Sequence, residues 1–138
     1  MSQKVAIVTL ALLGWACSQG RVQTGTASDQ TLQQVEPVAI PASEAYKRWK
    51  EKPDQIVILD VRTPGEYQSG HVKGAQNIDF YDNFEQAIQK LPKDKIYYLH
   101  CASGRRSGSA TEIMRKHGFK AYNIGGFGAV AQAGFPTE

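Results

Sequence analysis

The chain has 138 residues, 41% hydrophobic and 21% charged, a balance that suits one globular domain plus short extras and excludes a low-complexity polymer. With 16 Lys and Arg against 13 Asp and Glu, the formal net charge is +3, and no block of five or six like charges occurs. That argues against a nucleic-acid surface and for small anions as guests. At the start, Lys4 gives a short positive region and Val5 to Leu13 is almost wholly apolar. Gly14-Trp15-Ala16 then brings small residues ahead of Cys17, so residues 1–17 read as an export signal. About a dozen apolar residues fall short of the roughly 20 that a bilayer-spanning helix needs. The expected location is therefore exported and periplasmic.

Leu13-Gly14-Trp15-Ala16-Cys17 also resembles the bacterial lipoprotein box, in which the cysteine becomes the lipidated N-terminus. Trp15 is bulky for that box, and the leucine lies one position further from the cysteine than the box prefers. Lipidation at Cys17, with a membrane tether, and simple cleavage with release both stay open, and a retained anchor is the third alternative. Residues 18–36 are polar with few large apolar side chains, a composition that cannot bury a core and reads as a flexible linker. The folded domain is expected over residues 37–138.

Within it, strand-like and helix-like segments alternate. Val38-Ala39-Ile40 suggests a short first strand. Ser43 to Lys50 suggests a helix with Tyr46 and Trp49 on one face. Ile56 to Val61 is nearly continuous and apolar, as a strand covered on both faces of a parallel sheet should be. Thr63-Pro64-Gly65-Glu66 spells a capping box with Pro at the first helical position, opening a short helix through Tyr67 that Gly70-His71 ends. Ala75 to Ile78 is a candidate strand, and Phe84, Ile88 and Leu91 mark a helix running to about Lys90, before Pro92. Ile96 to His100 is the next strand. Ser107 to His117 reads as a helix with Ala110, Ile113 and Met114 inward and Gly118 as its cap. Ala121 to Ile124 is a last strand, and Gly125-Gly126 turns into a short final helix. The order predicts an α/β fold, a small parallel-rich central sheet with helices on both faces, with ligands beyond the strand carboxyl ends.

Cys101 falls at such an end, directly ahead of a helix. Roughly half a positive charge from the helix dipole then points at the sulfur, and cysteines so placed, or beside Arg, titrate from about 3.5 to 7.5 instead of about 8.5. The other cysteine is Cys17, so lipidation or removal of Cys17 leaves Cys101 without a disulfide partner. A packed, inert cysteine is the bland alternative. His100 precedes the cysteine, but alternate strand residues face opposite sides, so a Cys–His couple is not expected. His117 near a helix C-terminus fits dipole complementation. No Cys/His cluster has metal-ligand spacing.

Three further stretches carry a resemblance. Asp60-Val61-Arg62-Thr63-Pro64-Gly65-Glu66-Tyr67 followed by Gly70-His71-Val72-Lys73-Gly74-Ala75-Gln76-Asn77-Ile78 is similar to the signature D-V-R-x-x-x-E-[FY]-x-x-G-H-[IV]-x-G-A-x-N-I of rhodanese domains. Cys101-Ala102-Ser103-Gly104-Arg105-Arg106-Ser107 matches the family's C-x-x-G-x-R-S loop at every fixed position. Asn123-Ile124-Gly125-Gly126-Phe127 and Gly134-Phe135-Pro136 resemble its C-terminal strand and turn, with Val130 where many members have Trp. The layout is most similar to exported single-domain rhodaneses, including the phage-shock type.

The resemblance implies a thiosulfate sulfurtransferase. Cys101 would take the sulfane sulfur as a persulfide and pass it to cyanide or a thiol, with no cofactor and no metal. Backbone N–H groups from Ala102, Ser103, Gly104, Arg105, Arg106 and Ser107 would cradle the sulfur, Arg105 would meet substrate charge, and Arg106 would hold the loop. Asp60, Arg62, Glu66 and His71 are expected to support the site, with Arg62 and Glu66 pairing across the turn and His71 holding a turn by hydrogen bonds. The implied partners are a small anionic donor such as thiosulfate and a thiol or cyanide acceptor, handled by a monomer. The alternatives are a non-catalytic sulfur-relay or protein-binding module and a rhodanese-related phosphatase. Against the last, such phosphatases use a longer C-x5-R loop, whereas Cys101 to Arg106 reads C-x4-R.

Overall fold

The computed structural model describes residues 36–138. The export-signal and lipidation readings, and all but the last residue of the linker reading, lie outside the described residues. Four parallel strands form one sheet in the order β2-β1-β3-β4: β1 Ile56–Asp60, β2 Gln76–Asn77, β3 Ile96–Cys101 and β4 Lys120–Gly126. Between and around them run α1 Ala42–Glu51, α2 Pro64–Gln68, α3 Phe84–Ile88, α4 Arg105–Lys116 and α5 Phe127–Gln132. The central pair β1 and β3 are the most apolar of the four strands, as a strand buried on both faces requires.

Alternation along β3 splits the core into two layers. Tyr98 joins Ile58, Ile124, Ala45, Val130 and Phe135 on the side that α1 and α5 cover. Tyr97, Leu99 and Cys101 point the other way, to Ile88, Ala110, Met114 and Phe119 on the side of α3 and α4. Each fully buried Leu or Ile contributes roughly 1.5–3 kcal/mol. Val130, where many relatives of the motif have Trp, is fully buried, and Tyr46, Trp49 and Phe135 fill the space beside it with ring centres 5.2–6.0 Å apart.

Four of the departures from the sequence expectation have a local cause. Val38-Ala39-Ile40 makes a single bridge, Ala39 to Asn123, instead of a strand, because Pro37 and Pro41 bracket it and Pro41 already starts the turn into α1. The strand expected at Ala75 to Ile78 shortens to Gln76–Asn77: Gly74, at φ +80°, turns the chain just before it. The third helix ends at Ile88 and tightens into i to i+3 bonds as far as Leu91. The fourth starts at Arg105, two residues early, since Gly104 at φ +92° takes the cap position.

Candidate active site

The Cys101 loop is shaped by glycines on two elements. Cys101 pairs in register with Gly126, and a Cβ on Gly126 would lie 2.5 Å from the Ala102 carbonyl oxygen. Only a glycine there lets the loop rest on β4. Gly104, in the left-handed region, then reverses the chain into α4 so that its N–H donates to Cys101 Sγ at 3.0 Å. The Ser107 hydroxyl lies 3.5 Å from the same sulfur and 2.8 Å from Asn123 Oδ1. Asn123 also donates to the Gly104 carbonyl at 3.0 Å and accepts from the Gly125 N–H at 3.0 Å, so one amide ties both ends of the loop to β4.

Two opposing effects act on the Cys101 thiol. Burial pushes it up, while the Ser107 hydroxyl and the N–H groups of Ser107, Ser103 and Gly104 push it down, and the net displacement is below the ordinary thiol value. The dipole of the 12-residue α4 acts in the same direction as the donors. The side chain is fully buried, so the sulfur forms the floor of its loop and not part of the outer wall.

Outside the loop, Arg106 grips Glu66 with two parallel bonds of 2.8 and 2.9 Å. Glu66 is at once the third residue of the capping box at Thr63, accepting from the Thr63 N–H at 3.0 Å and its hydroxyl at 3.1 Å. The Arg106 guanidinium, aided by Thr63 and opposed by partial burial, holds the Glu66 carboxyl down at about 2, and the same pairing raises Arg106. The expected pairing of Arg62 with Glu66 does not form. Asp60, buried at the end of β1, needs a cation two residues away and takes Arg62 instead, at 2.9 Å to Nε and 2.6 Å to Nη2. Arg62 goes on to the Gly70 carbonyl at 2.7 Å and lies 4.3 Å from the Phe127 ring centre.

His71 stacks on Tyr67 at 3.8 Å, with Nδ1 2.9 Å from the Tyr67 carbonyl oxygen and Nε2 3.2 Å from a Glu138 carboxylate oxygen, which anchors the turn and the C-terminal residues together. His100 is on the opposite face of β3 from Cys101, fully buried, with Nδ1 3.4 Å from the Cys101 carbonyl oxygen and Nε2, 3.7 Å from Asp60 Oδ2, without a hydrogen-bond partner among the described residues. Burial lowers its pKa against the pull of Asp60. His117 caps α4 and reaches Gln89, just past the end of α3, at 3.2 Å and Glu85 on α3 at 3.4 Å.

A cleft of about 430 Å³ opens beside the loop, lined by Phe80, Tyr81, Ser103, Arg105, Arg106 and Ser109. The loop residues Ser103 and Arg105 are on its wall, and Ala102 is exposed beside them. Sequence reasoning passed over Phe80, Tyr81 and the hub role of Asn123. The Gly-Gly step after Asn123 was the available signal for the last, and nothing local marked the first two. Among the described residues no group of three or more His, Cys, Asp or Glu is arranged to hold a metal ion.

The family model described as "Rhodanese-like domain" matches residues 42–133. The chain is 30% identical over 125 residues to the Bacillus subtilis protein named "Putative sulfur carrier protein YrkF", covering 81% of this chain and 67% of that one. It is 37% identical over 75 residues to the thiosulfate sulfurtransferase PspE of Escherichia coli, covering 53% and 72%. Against the Bacillus subtilis protein YqhL the identity is 40% over 72 residues, and the match spans 56% of that protein. The crystal structure of a rhodanese-related protein from Thermoplasma volcanium superposes with a TM-score of 0.64 at 28% identity, covering 74% of this chain and 98% of that one.

Proposed function

The chain belongs to the rhodanese-like family, and from that premise we propose that it is a sulfurtransferase moving the sulfane sulfur of thiosulfate, or of a related persulfide donor, through Cys101 to cyanide or a thiol. The Cys101 thiolate attacks the outer sulfur, a bond forms between the two sulfurs, and the electron pair of the breaking bond leaves with sulfite. The acceptor then attacks the carried sulfur and returns the thiolate, so one difficult transfer is split into two. The observation that carries this reading is the convergence of the Gly104 N–H, at 3.0 Å, and the Ser107 hydroxyl on a sulfur displaced toward its anion. Those donors suit the negative charge of a thiolate and of the persulfide that succeeds it. Arg106 serves the loop through Glu66, and Arg105 is the guanidinium at the cleft for donor charge.

Incubation of the purified protein with thiosulfate should raise its intact mass by one sulfur atom, cyanide should reverse the gain, and Cys101→Ser should abolish it. An unchanged mass with Cys101 reduced overturns the proposal. A second reading, relay of sulfur to another protein's thiol, is favoured by the similarity to a protein named as a sulfur carrier. Persulfide loading without turnover to cyanide would select it. The tight C-x4-R loop disfavours phosphoester hydrolysis, and no release of phosphate from an aryl phosphate is expected. Residues 1–17 are proposed as the export signal, and the mass of the mature N-terminus tells lipid on Cys17 from simple cleavage.

A further inference from the structure

The three segments that lead from a helix into β1, β3 and β4 reach the sheet side by side. Ile56 pairs in register with Ile96, and Ile96 with Lys120. Those segments, residues 50–56, 89–96 and 115–120, hold eight Lys or Arg and three Asp or Glu, whereas the rest of residues 36–138 holds six and nine. No single stretch of the chain shows this excess; folding assembles it at the end of the sheet opposite the Cys101 loop. Contacts between the segments fix the lysines there. Lys95 donates to the Asp54 carbonyl at 2.6 Å, and Lys93 lies 5.2 Å from the Phe119 ring centre. Lys50, Lys52, Lys93, Lys116 and Lys120 are exposed. Complementing helix dipoles does not use up the excess: α1, α3 and α4 end here, and their C-termini carry together about one and a half negative charges against the surplus of five. Glu36, which accepts from the Tyr122 hydroxyl at 3.2 Å, adds one carboxylate and still leaves the end positive.

We propose that this end is a docking face for anionic phospholipid headgroups, and that it holds the domain on a bilayer with the Cys101 loop turned to the water. Between the cations runs an apolar ridge, Ile96 and Tyr122. It separates a cleft of about 190 Å³ edged by Arg48 and Lys52 from one of about 340 Å³ edged by Arg115 and Lys120. Long basic side chains around a half-buried tyrosine suit the headgroup layer, where such groups place their apolar parts inward and their polar tips in water. The chain also enters the domain here, because Arg115 holds the carbonyls of Glu36 and Pro37 at 2.8 and 2.6 Å. Any anchor in residues 1–17 therefore pulls on the domain from this end. A nucleic acid would meet the same charge, and this point of attachment is what favours the bilayer. Cys101 is at the far end of the six-residue β3, about 17 Å from Ile96 at about 3.3 Å per residue, so docking leaves its loop clear. The face does not depend on the chemistry at Cys101.

The test measures co-sedimentation of the full chain with vesicles of phosphatidylcholine alone and of an equimolar mixture with phosphatidylglycerol. Partition through residues 1–17 is common to both, so the ratio of the two partition coefficients reads the basic end. The ratio should be about tenfold or more at low salt. It should fall toward one at about 1 M salt, where the screening length is about 3 Å. Lys52→Gln and Lys120→Gln should each lower it about fivefold, the effect of one basic side chain near an anionic surface. Lys73→Gln removes an exposed lysine outside this end and should leave the ratio unchanged, and each variant should melt as the wild type does. Alkylation of Cys101 by iodoacetamide, located by peptide mass, should run at the same rate on the mixed vesicles as in solution. A ratio near one, an equal loss with Lys73→Gln, or a Cys101 rate slowed on the vesicles overturns the proposal. So does displacement from the mixed vesicles by a duplex oligonucleotide at matched phosphate concentration, which would assign the face to nucleic acid.

Discussion

Glu66 and Arg106 stand 40 residues apart in the chain and meet through two bonds of 2.8 and 2.9 Å, joining the cap of α2 to the first turn of α4. The pair locks the Cys101 loop to the turn after β1. Because the Glu66 carboxyl is held at about 2 in the folded chain and sits near 4.3 when unfolded, the unfolded state binds more protons between those values. The contribution is therefore complete above about pH 4.3 and is lost as the pH falls through about 2. Partial exposure screens it, so Glu66→Gln should cost about 1–2 kcal/mol at pH 7 and little at pH 2. Urea unfolding at the two pH values reads this directly. An equal cost at both would mean that the pair supplies shape and not charge.

Ser107 offers one hydroxyl proton to two acceptors, Asn123 Oδ1 at 2.8 Å and Cys101 Sγ at 3.5 Å. When the sulfur ionises it becomes the stronger acceptor. The rate of Cys101 alkylation by iodoacetamide should rise as the pH climbs through a midpoint below the ordinary thiol value of about 8.5, then level off. Removing a donor to the anion raises that midpoint, so Ser107→Ala should move the curve to higher pH without lowering its plateau by much. A curve unmoved by Ser107→Ala would assign the stabilisation to the backbone N–H groups alone. Because the side chain is fully buried, a bulky aromatic disulfide should react far more slowly than iodoacetamide at the same pH.

Much of this site is written locally, and the rest is not. The Cys101 loop, the strand before it and the capping box at Thr63 depend on neighbours within a few residues, so periodicity and turn chemistry reveal them. Which cation Glu66 takes is a different kind of fact. Arg62 is four residues away and Arg106 is 40, and the choice depends on Asp60 being buried where it must claim Arg62 first. No spacing rule contains that competition. Tyr81 is similar: an aromatic residue in a polar loop reads as incidental until α4 is packed opposite it. The shortening of β2 to two residues follows from Gly74 and from Asn77, whose side chain spends itself on the carbonyls of Asp60 and Arg62 at 3.0 and 2.9 Å.

His100 lies back to back with the nucleophile and gives a second, separate pH dependence. Its pKa is lowered by burial in the folded chain, so the unfolded state binds the extra proton first as the pH drops below about 6.5. Stability is therefore full above that value and declines as the pH falls toward the lower folded value. The window opens at a higher pH than the one that Glu66 controls. His100→Gln should flatten the melting temperature just below about pH 6.5 while leaving the fall below about 4.3 in place. A wild-type melting temperature that is already flat across the upper window would mean that Asp60, 3.7 Å from Nε2, compensates the burial in full.

Gly126 is the position where the smallest change should have the largest effect on the sulfur cradle. Its own φ is ordinary, so alanine there is not a backbone problem; the obstacle is the Ala102 carbonyl oxygen, 2.5 Å from where the methyl group would sit. Backbone on both sides cannot swing aside as a side chain does, so the loop must lift from β4. Gly126→Ala should cost about 1–3 kcal/mol from overpacking and, by moving the Gly104 N–H off the sulfur, shift the Cys101 alkylation midpoint upward. Gly128→Ala is the control, on α5 with nothing within 4 Å of the added methyl group, and should leave the midpoint where it was. If Gly126→Ala loses stability but keeps the wild-type midpoint, the donors reach the sulfur without support from β4, and the close approach serves packing only.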